Sequence, residues 1–236
     1  MKIDFNEEKH EYSCGGVKIP SVSEILAPLS AERYEDLNPW MLKAAAARGT
    51  AVHEACELID YGAEPEEDPE IDGYLLAYQT FLMEHDVDWE LVESIVPYYR
   101  GLPFDDENGE LPIYCGTVDR FGLVDGEPAV LDIKTYASLS TDSQIAASCQ
   151  TALYRDALYS TDKDQGKLIK RYVLHLKKDG TYRLVDLNKF DAGHGFNGDA
   201  CAWLLVDLWL WRGAAKKTVR KGKVGTKSLK QTERKT

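Results

Sequence analysis

The chain has 236 residues, 44% of them apolar, and a formal net charge of −12 at pH 7. This composition can bury a substantial core, and no run approaches the roughly 18 uninterrupted apolar residues of a membrane span. The polar opening Met1-Lys2-Ile3-Asp4 also lacks the apolar region of a secretory signal. We therefore expect a cytoplasmic protein with no membrane segment.

The N-terminal elements are predicted from turn and capping residues. Two short β-like stretches surround Gly15-Gly16, and Ser21-Val22-Ser23-Glu24 has the form of a capping box that begins a helix. A longer helix is predicted from Trp40 to Tyr61, because apolar residues recur there at steps of three or four. These residues are Leu42, Ala45, Gly49, Val52, Cys56 and Ile59.

His53 lies on the border of this apolar stripe. Periodicity alone favours a core-boundary histidine over a metal ligand, because a lone histidine has no declared partner. The acidic run from Glu64 to Glu70 is interpreted as a solvated loop, since it lacks the spaced ligands and central glycine of an EF-hand calcium loop. Another amphipathic helix is predicted from Ile71 to Glu84.

A strand is predicted from Trp89 to Tyr99, because Leu91, Glu93, Ile95 and Pro97 alternate on one side. Glu93 thus shares a face with apolar neighbours. A carboxylate in that position needs a partner, either a salt bridge or a metal ion, and the pattern leaves both open.

The next two strands are predicted to form a hairpin around Asp125-Gly126, because Asp-Gly is a strong two-residue turn. If Val124 pairs with Glu127, antiparallel register places Asp119 opposite Asp132. Directly opposed residues have Cβ atoms roughly 4.5–5.5 Å apart, and like charges at that separation repel. The pair therefore needs a cation.

Mg²⁺ or Mn²⁺ suits this pair, because these hard ions bind carboxylates, water and phosphate oxygens. Lys134 shares the face of Asp132, where an ammonium group can stabilise developing negative charge or orient an attacking water. The alternative is an ordinary solvated hairpin face. The Asp-x-Lys spacing with a Gly-x-x-Asp strand favours the catalytic interpretation.

A capping box, Thr141-Asp142-Ser143-Gln144, predicts a helix to about Ser160, on which Gln150 and Tyr154 are neighbours at i and i+4. Two strands, Leu168 to Leu176 and Thr181 to Leu187, and a mostly buried helix from Ala200 to Trp211 follow. This α–β–β–β–α–β order predicts an α/β fold in which helices flank a mixed sheet, as a single domain over residues 1–213.

The remaining residues, 214–236, are predicted to be a basic, disordered tail. Residues 216–236 carry nine Lys or Arg and one Glu, a charge of +8 that leaves −20 on residues 1–215. The tail is interpreted either as a source of salt-sensitive phosphate contacts or as a solubilising terminus. The five cysteines are scattered, without the paired spacing of a zinc or iron–sulfur site.

Several of these motifs together resemble the PD-(D/E)XK nuclease superfamily, within its RecB-like and phage-type exonuclease branch. The resemblance runs from the N-terminus to about Tyr159. It rests on His10-x-Tyr12, Pro20-Ser21-Val22-Ser23-Glu24, Arg48-Gly49-Thr50-x-x-His53, Glu93, Gly116-x-x-Asp119, Asp132-Ile133-Lys134 and Gln150-x-x-x-Tyr154. The family's proline before the first acid is missing here, and the cysteines do not match its iron–sulfur members.

The resemblance implies a restriction-endonuclease-like core and hydrolysis of DNA phosphodiester bonds with Mg²⁺ or Mn²⁺ but no iron–sulfur cluster. It implies that His53 joins Asp119, Asp132 and the Ile133 carbonyl as a metal ligand. Glu93 would bind a second ion or orient water, and Lys134 would assist the nucleophile or stabilise the phosphorane. Arg48, Gln150 and Tyr154 would position the substrate.

The resemblance favours an exonuclease over an endonuclease, acting on linear DNA in phage or prophage recombination or repair in a bacterial host cell. A phage single-strand annealing or single-strand-binding protein is a candidate partner, and an oligomer is left open. Two other functions remain: a catalytically silent nucleic-acid-binding or scaffolding module of the same fold, and an acidic protein that mimics DNA.

Overall fold

The structure, a computed structural model, describes residues 2–7, 9–34, 38–99, 111–159 and 168–213. The basic segment predicted over residues 214–236 lies outside this part of the chain.

A small antiparallel sheet opens the chain. Its strands are β1 (Ile3–Asn6), β2 (Glu11–Cys14) and β3 (Val17–Ile19), in that spatial order. Gly15 and Gly16 form the turn between β2 and β3 with φ of 56° and 76°, a backbone conformation that favours glycine. The predicted β structure around these glycines is confirmed.

Three helices follow, namely α1 (Val22–Tyr34), α2 (Pro39–Asp60) and α3 (Asp72–Glu84). The capping box at the start of α1 is confirmed. The Glu24 amide donates to Ser21 Oγ and the Ser21 amide donates to Glu24 Oε2, each at 3.0 Å. Helices α2 and α3 begin and end within one residue of the predicted positions.

The central sheet has five strands in the spatial order β4-β5-β6-β7-β8. They are β4 (Val87–Tyr98), β5 (Tyr114–Val124), β6 (Glu127–Lys134), β7 (Lys170–Leu176) and β8 (Tyr182–Asp186). All neighbours are antiparallel except β6 and β7, which are parallel and joined across α4 (Thr141–Leu158). The predicted mixed sheet flanked by helices is therefore confirmed.

Separate apolar clusters cover the two faces of this sheet. One joins α1, α4 and a C-terminal helix over residues 198–213 to Val118, Phe121 and Val130. The other joins α2 and α3 to Leu131 and Ile133 of β6. Residues adjacent along β6 thus face opposite clusters, as strand alternation requires. The end of β6 is held between α2 and α4.

The start of α4 differs from the prediction by one residue. Ser140, rather than Thr141, is the N-cap, and its Oγ accepts the Ser143 amide at 3.2 Å. The predicted capping box was therefore wrong in its register, since Ser140 offers an equivalent hydroxyl one residue earlier.

The last two helices in the described part of the chain are α5 (Leu187–His194) and α6 (residues 198–213). The prediction that the final helix is mostly buried was wrong. Ala202 and Val206 are buried, whereas Leu204 and Trp211 are 70% and 67% exposed. Only one stripe of α6 packs on the core, because the sheet lies on one side of it.

Candidate metal centre

The β5–β6 hairpin brings the predicted acidic residues to one end of the sheet. Asp125 and Gly126 form its turn with φ of 53° and 77°, and Val124 pairs with Glu127 as predicted. The ladder continues only to the pair of Arg120 and Leu131, so the predicted pair of Asp119 and Asp132 is not part of it. One residue beyond, Asp119 Oδ2 accepts the Ile133 amide at 2.7 Å. The side chain of Asp119 therefore replaces a backbone partner where the two strands separate.

A histidine and two carboxylates converge at this point. Potential ligand atoms of His53, Glu93 and Asp119 all lie within 4.8 Å of one another. His53 Nδ1 is 3.0 Å from Glu93 Oε1 and 3.8 Å from Asp119 Oδ2. Its Nε2 is 3.2 Å from the carbonyl oxygen of Ile133. Helix α2 thus brings His53 against three strands, so His53 is not an isolated boundary histidine.

Asp132 and Lys134 form an ion pair beside this cluster. Lys134 Nζ donates to Asp132 Oδ1 at 2.6 Å, and the Asp132 side chain is completely buried. Asp132 Oδ2 is also buried, and it has no hydrogen-bond partner within the described residues. An unpaired carboxylate oxygen costs free energy in such a place, unless a cation or water occupies the space next to it.

The charges of the cluster shift the pKa values of its members. Burial, together with the charge of Asp119, raises the pKa of Asp132 to about 6, against the opposing effect of Lys134. Burial disfavours the charged form of His53, but Asp119 and Glu93 outweigh it and raise its pKa to about 8. Burial also disfavours the ammonium of Lys134, yet Asp132 holds its pKa above the ordinary value. Lys134 is therefore a cation at neutral pH.

Glu93 enters the cluster through an irregular part of β4. The β4–β5 register shifts between Trp89 and Leu91, and Glu93 itself has φ of 41°, a left-handed conformation uncommon for a residue with a side chain. Val92 pairs with Arg120 and Ser94 pairs with Val118, so Glu93 lies opposite Asp119. The simple alternation predicted for this strand does not include this distortion, which directs the Glu93 carboxylate towards His53.

The predicted Gln150 and Tyr154 lie on α4, on the other side of the hairpin. Gln150 Nε2 donates to the Tyr154 hydroxyl at 3.0 Å, and Tyr154 is buried. Burial and the charges of Asp119 and Asp132 raise the Tyr154 pKa above its ordinary range. A Cβ atom on Gly116 would lie 2.4 Å from Tyr154 Cε1. The glycine of the Gly-x-x-Asp motif therefore makes room for this tyrosine.

Arg48 contacts a different part of the molecule. Its guanidinium carbon is 5.8 Å from the centroid of the Tyr74 ring on α3, and its Nε is buried without a hydrogen-bond partner among the described residues. Arg48 lies on α2, five residues before His53. Its predicted role in positioning substrate stays a prediction.

Sequence reasoning missed the residues behind the cluster. Arg120 is fully buried and donates to Glu93 Oε1 at 2.9 Å and to Asp60 Oδ2 at 2.6 Å. Tyr78 donates to the other oxygen of Asp60 at 2.7 Å. A sequence signal existed, because an arginine within an apolar strand must find a charged partner.

The donor set fits a hard divalent cation. His53, Glu93, Asp119, the Ile133 carbonyl and the unpaired oxygen of Asp132 offer oxygen and imidazole ligands. Carboxylate and carbonyl oxygens suit Mg²⁺ and Mn²⁺, and one imidazole is compatible with Mn²⁺. All five cysteines carry free thiols, and the expected absence of an iron–sulfur cluster stays a prediction.

Comparison of the chain with protein-family models found no match, and a search of curated proteins found none. In the described part of the chain, no helix combines the length and apolar character that crossing a membrane requires.

Proposed function

We propose that this chain is a metal-dependent DNA nuclease of the PD-(D/E)XK superfamily, and that it acts as an exonuclease on linear DNA. The observation that carries the proposal is the buried, unpaired Oδ2 of Asp132 beside Lys134 and the His53–Glu93–Asp119 cluster. A solvated hairpin face does not account for an unpaired carboxylate oxygen, whereas a cation site does.

In this proposal His53, Asp119, Asp132 and the Ile133 carbonyl hold Mg²⁺ or Mn²⁺, with Glu93 as a further ligand or water acceptor. The ion would supply Lewis acidity that activates water, and positive charge that offsets the phosphate. Both effects are needed beside a body of charge −20.

Lys134 supplies charge rather than a base. Its raised pKa and its 2.6 Å contact with Asp132 keep it protonated at neutral pH. An ammonium group in this position can donate to the phosphate oxygens on which negative charge develops during hydrolysis. Asp132 holds that ammonium at the end of β6.

The first test uses end-labelled linear DNA and a covalently closed circle with Mg²⁺, Mn²⁺, Ca²⁺ or EDTA. Wild type should degrade the linear DNA alone, and only with Mg²⁺ or Mn²⁺. Lys134→Ala and Asp119→Ala should each lose about two orders of magnitude or more in rate. Lys170→Ala is the matched control, because Lys170 is a surface lysine paired with Glu127 at the opposite end of β6.

The other outcomes distinguish the remaining functions. Cleavage of the circle would identify an endonuclease. A folded wild type that binds DNA but cuts neither substrate would favour the silent binding module. A folded protein that binds no DNA even with Ca²⁺, but binds a basic protein in a salt-sensitive way, would favour the DNA mimic.

A further inference from the structure

Among the described residues Arg120 is the largest fully buried side chain, and it contacts Glu93 of the cluster. Its Nη1 donates to Glu93 Oε1 at 2.9 Å and to the backbone carbonyl of Asp119 at 2.6 Å. One guanidinium nitrogen therefore contacts two of the three residues that converge on the candidate metal centre. Because Arg120 is 0% exposed, these contacts come from the interior of the protein.

The other side of Arg120 is held by α2 and α3. Its Nε donates to Asp60 Oδ2 at 2.6 Å, and the Tyr78 hydroxyl donates to Asp60 Oδ1 at 2.7 Å. The side chains of Arg120 and Asp60 are 0% and 4% exposed, so solvent does not screen this ion pair. The orientation of the guanidinium is therefore determined by Asp60 as well as by Glu93.

These contacts close a ring through a single helix. His53 and Asp60 are seven residues apart on α2, which is two helical turns, so both project from the same side. His53 contacts Glu93 Oε1, Arg120 donates to that same oxygen, and Asp60 holds Arg120. Helix α2 thus fixes Glu93 from two directions.

The backbone of Glu93 makes such support necessary. A φ of 41° is strained for a non-glycine residue and persists only where the surrounding structure determines it. Glu93 Oε1 lies 3.0 Å from His53 Nδ1 and accepts from Arg120 Nη1 at 2.9 Å, so both side chains hold the carboxylate in place.

We propose that Arg120 is a positioning residue which, held by Asp60 and Tyr78, orients the Glu93 carboxylate for metal binding. This inference rests on the proposed metal centre and assigns its support to residues that do not themselves contact the ion. Partners behind metal ligands commonly contribute 10–100-fold to metal affinity.

The test measures Mn²⁺ affinity by titration calorimetry for Arg120→Lys, Asp60→Asn and Tyr78→Phe. We expect Mn²⁺ binding to weaken about 10–100-fold in the first two variants and less in Tyr78→Phe. Tyr78→Phe removes only the hydroxyl that donates to Asp60 and keeps the buried ring. We therefore expect this variant to fold, and it tests the proposal even if the other two variants do not.

Arg171→Lys is the matched control. Arg171 is also buried and paired, since it donates to Asp191 Oδ2 at 2.7 Å and to the Ser148 carbonyl at 2.8 Å, but it belongs to the packing of β7 against α4 and α5. The Arg171→Lys variant should have a lower midpoint of thermal unfolding and an unchanged Mn²⁺ affinity. Equal loss of stability in Arg120→Lys and Arg171→Lys, with unchanged Mn²⁺ affinity in both, would overturn the proposal.

A double variant identifies the route of the effect. If Arg120 acts through Glu93, Arg120→Lys should weaken Mn²⁺ binding by less than about twofold in a Glu93→Gln background. Full additivity would contradict a positioning role. Wild type that binds Mn²⁺ but cuts no DNA would remove the nuclease proposal and leave this one standing, whereas wild type that binds no Mn²⁺ would remove both.

Discussion

The backbone of Glu93 connects strain with function at the scale of one residue. Its φ of 41° is unfavourable for any side chain but is readily adopted by glycine. Replacing Glu93 should therefore have two separable effects, one on metal binding and one on backbone strain.

We expect Glu93→Gly to be more stable than Glu93→Ala by about 1 kcal/mol, because only glycine relieves the strain. Neither variant can accept a hydrogen bond from His53 or Arg120 at this position, so each is the control for the other. Urea denaturation measures the difference. Equal stability of the two variants would show that the backbone relaxes once the carboxylate is gone.

The pKa values of Asp132 and His53 predict how metal affinity depends on pH. Burial raises the pKa of Asp132 to about 6, and the carboxylates raise that of His53 to about 8 against the effect of its burial. A proton on either group competes with a cation, so Mn²⁺ affinity should rise with pH from about 5.5 to 8.5. The increase is about tenfold per pH unit for each proton released.

Calorimetry at several pH values tests this expectation. His53→Ala should lose the part of the rise that lies near pH 8 and keep the part near pH 6. A pH-independent affinity in the wild type would mean that neither group releases a proton on binding.

At the scale of elements, the packing of β5 against α4 determines how close Tyr154 comes to the acidic residues. A Cβ atom on Gly116 would lie 2.4 Å from Tyr154 Cε1 and 2.9 Å from Val22 Cγ2. Both neighbours are buried, so neither can move away without disturbing the core.

Gly116→Ala should therefore destabilise the protein by about 1–3 kcal/mol, and displace Tyr154 from the acidic residues. Gly193→Ala is the control, because a Cβ atom at Gly193 would meet nothing within 4 Å. Gly193 also lies in helix α5, where alanine is favoured over glycine by up to about 1 kcal/mol. Thermal unfolding compares the two variants. A Gly116→Ala protein as stable as wild type would show that α4 shifts freely on the sheet.

At the scale of the whole molecule, charge is divided unevenly along the chain. Residues 1–215 carry −20 and residues 216–236 carry +8. Basic residues that bind phosphates release counterions, which makes their contribution to DNA affinity dependent on salt.

Truncation after Gly213 should weaken DNA binding, measured with Ca²⁺ in place of Mg²⁺, and make the dependence on salt concentration less steep. For each phosphate group that the shortened protein no longer neutralises, the slope of log affinity against log salt should change by about 0.7–0.9. Unchanged affinity and slope, with lower solubility, would instead identify residues 214–236 as a solubilising terminus.

The hairpin shows how much local sequence determines. Asp125-Gly126 specifies the turn, and side-chain alternation then determines which residues of β5 and β6 lie near one another. The register was therefore predictable up to Arg120 and Leu131, as was the shared face on which Lys134 contacts Asp132. These residues lie within 16 positions of one another, so no distant contact is needed to assemble them.

The rest of the centre depends on tertiary packing. His53 is 40 residues from Glu93 and 80 from Ile133, and periodicity in α2 shows only which face is apolar, not which strand that face meets. The same holds for Arg120 and Asp60, which are 60 residues apart, and for the exposed stripe of α6. Sequence alone determined the Asp125-Gly126 turn, the cap of α1 and the register of the β5–β6 hairpin up to Arg120, because these depend on neighbouring residues. Packing of helices on the sheet decided which distant side chains meet, because that packing depends on the whole core at once.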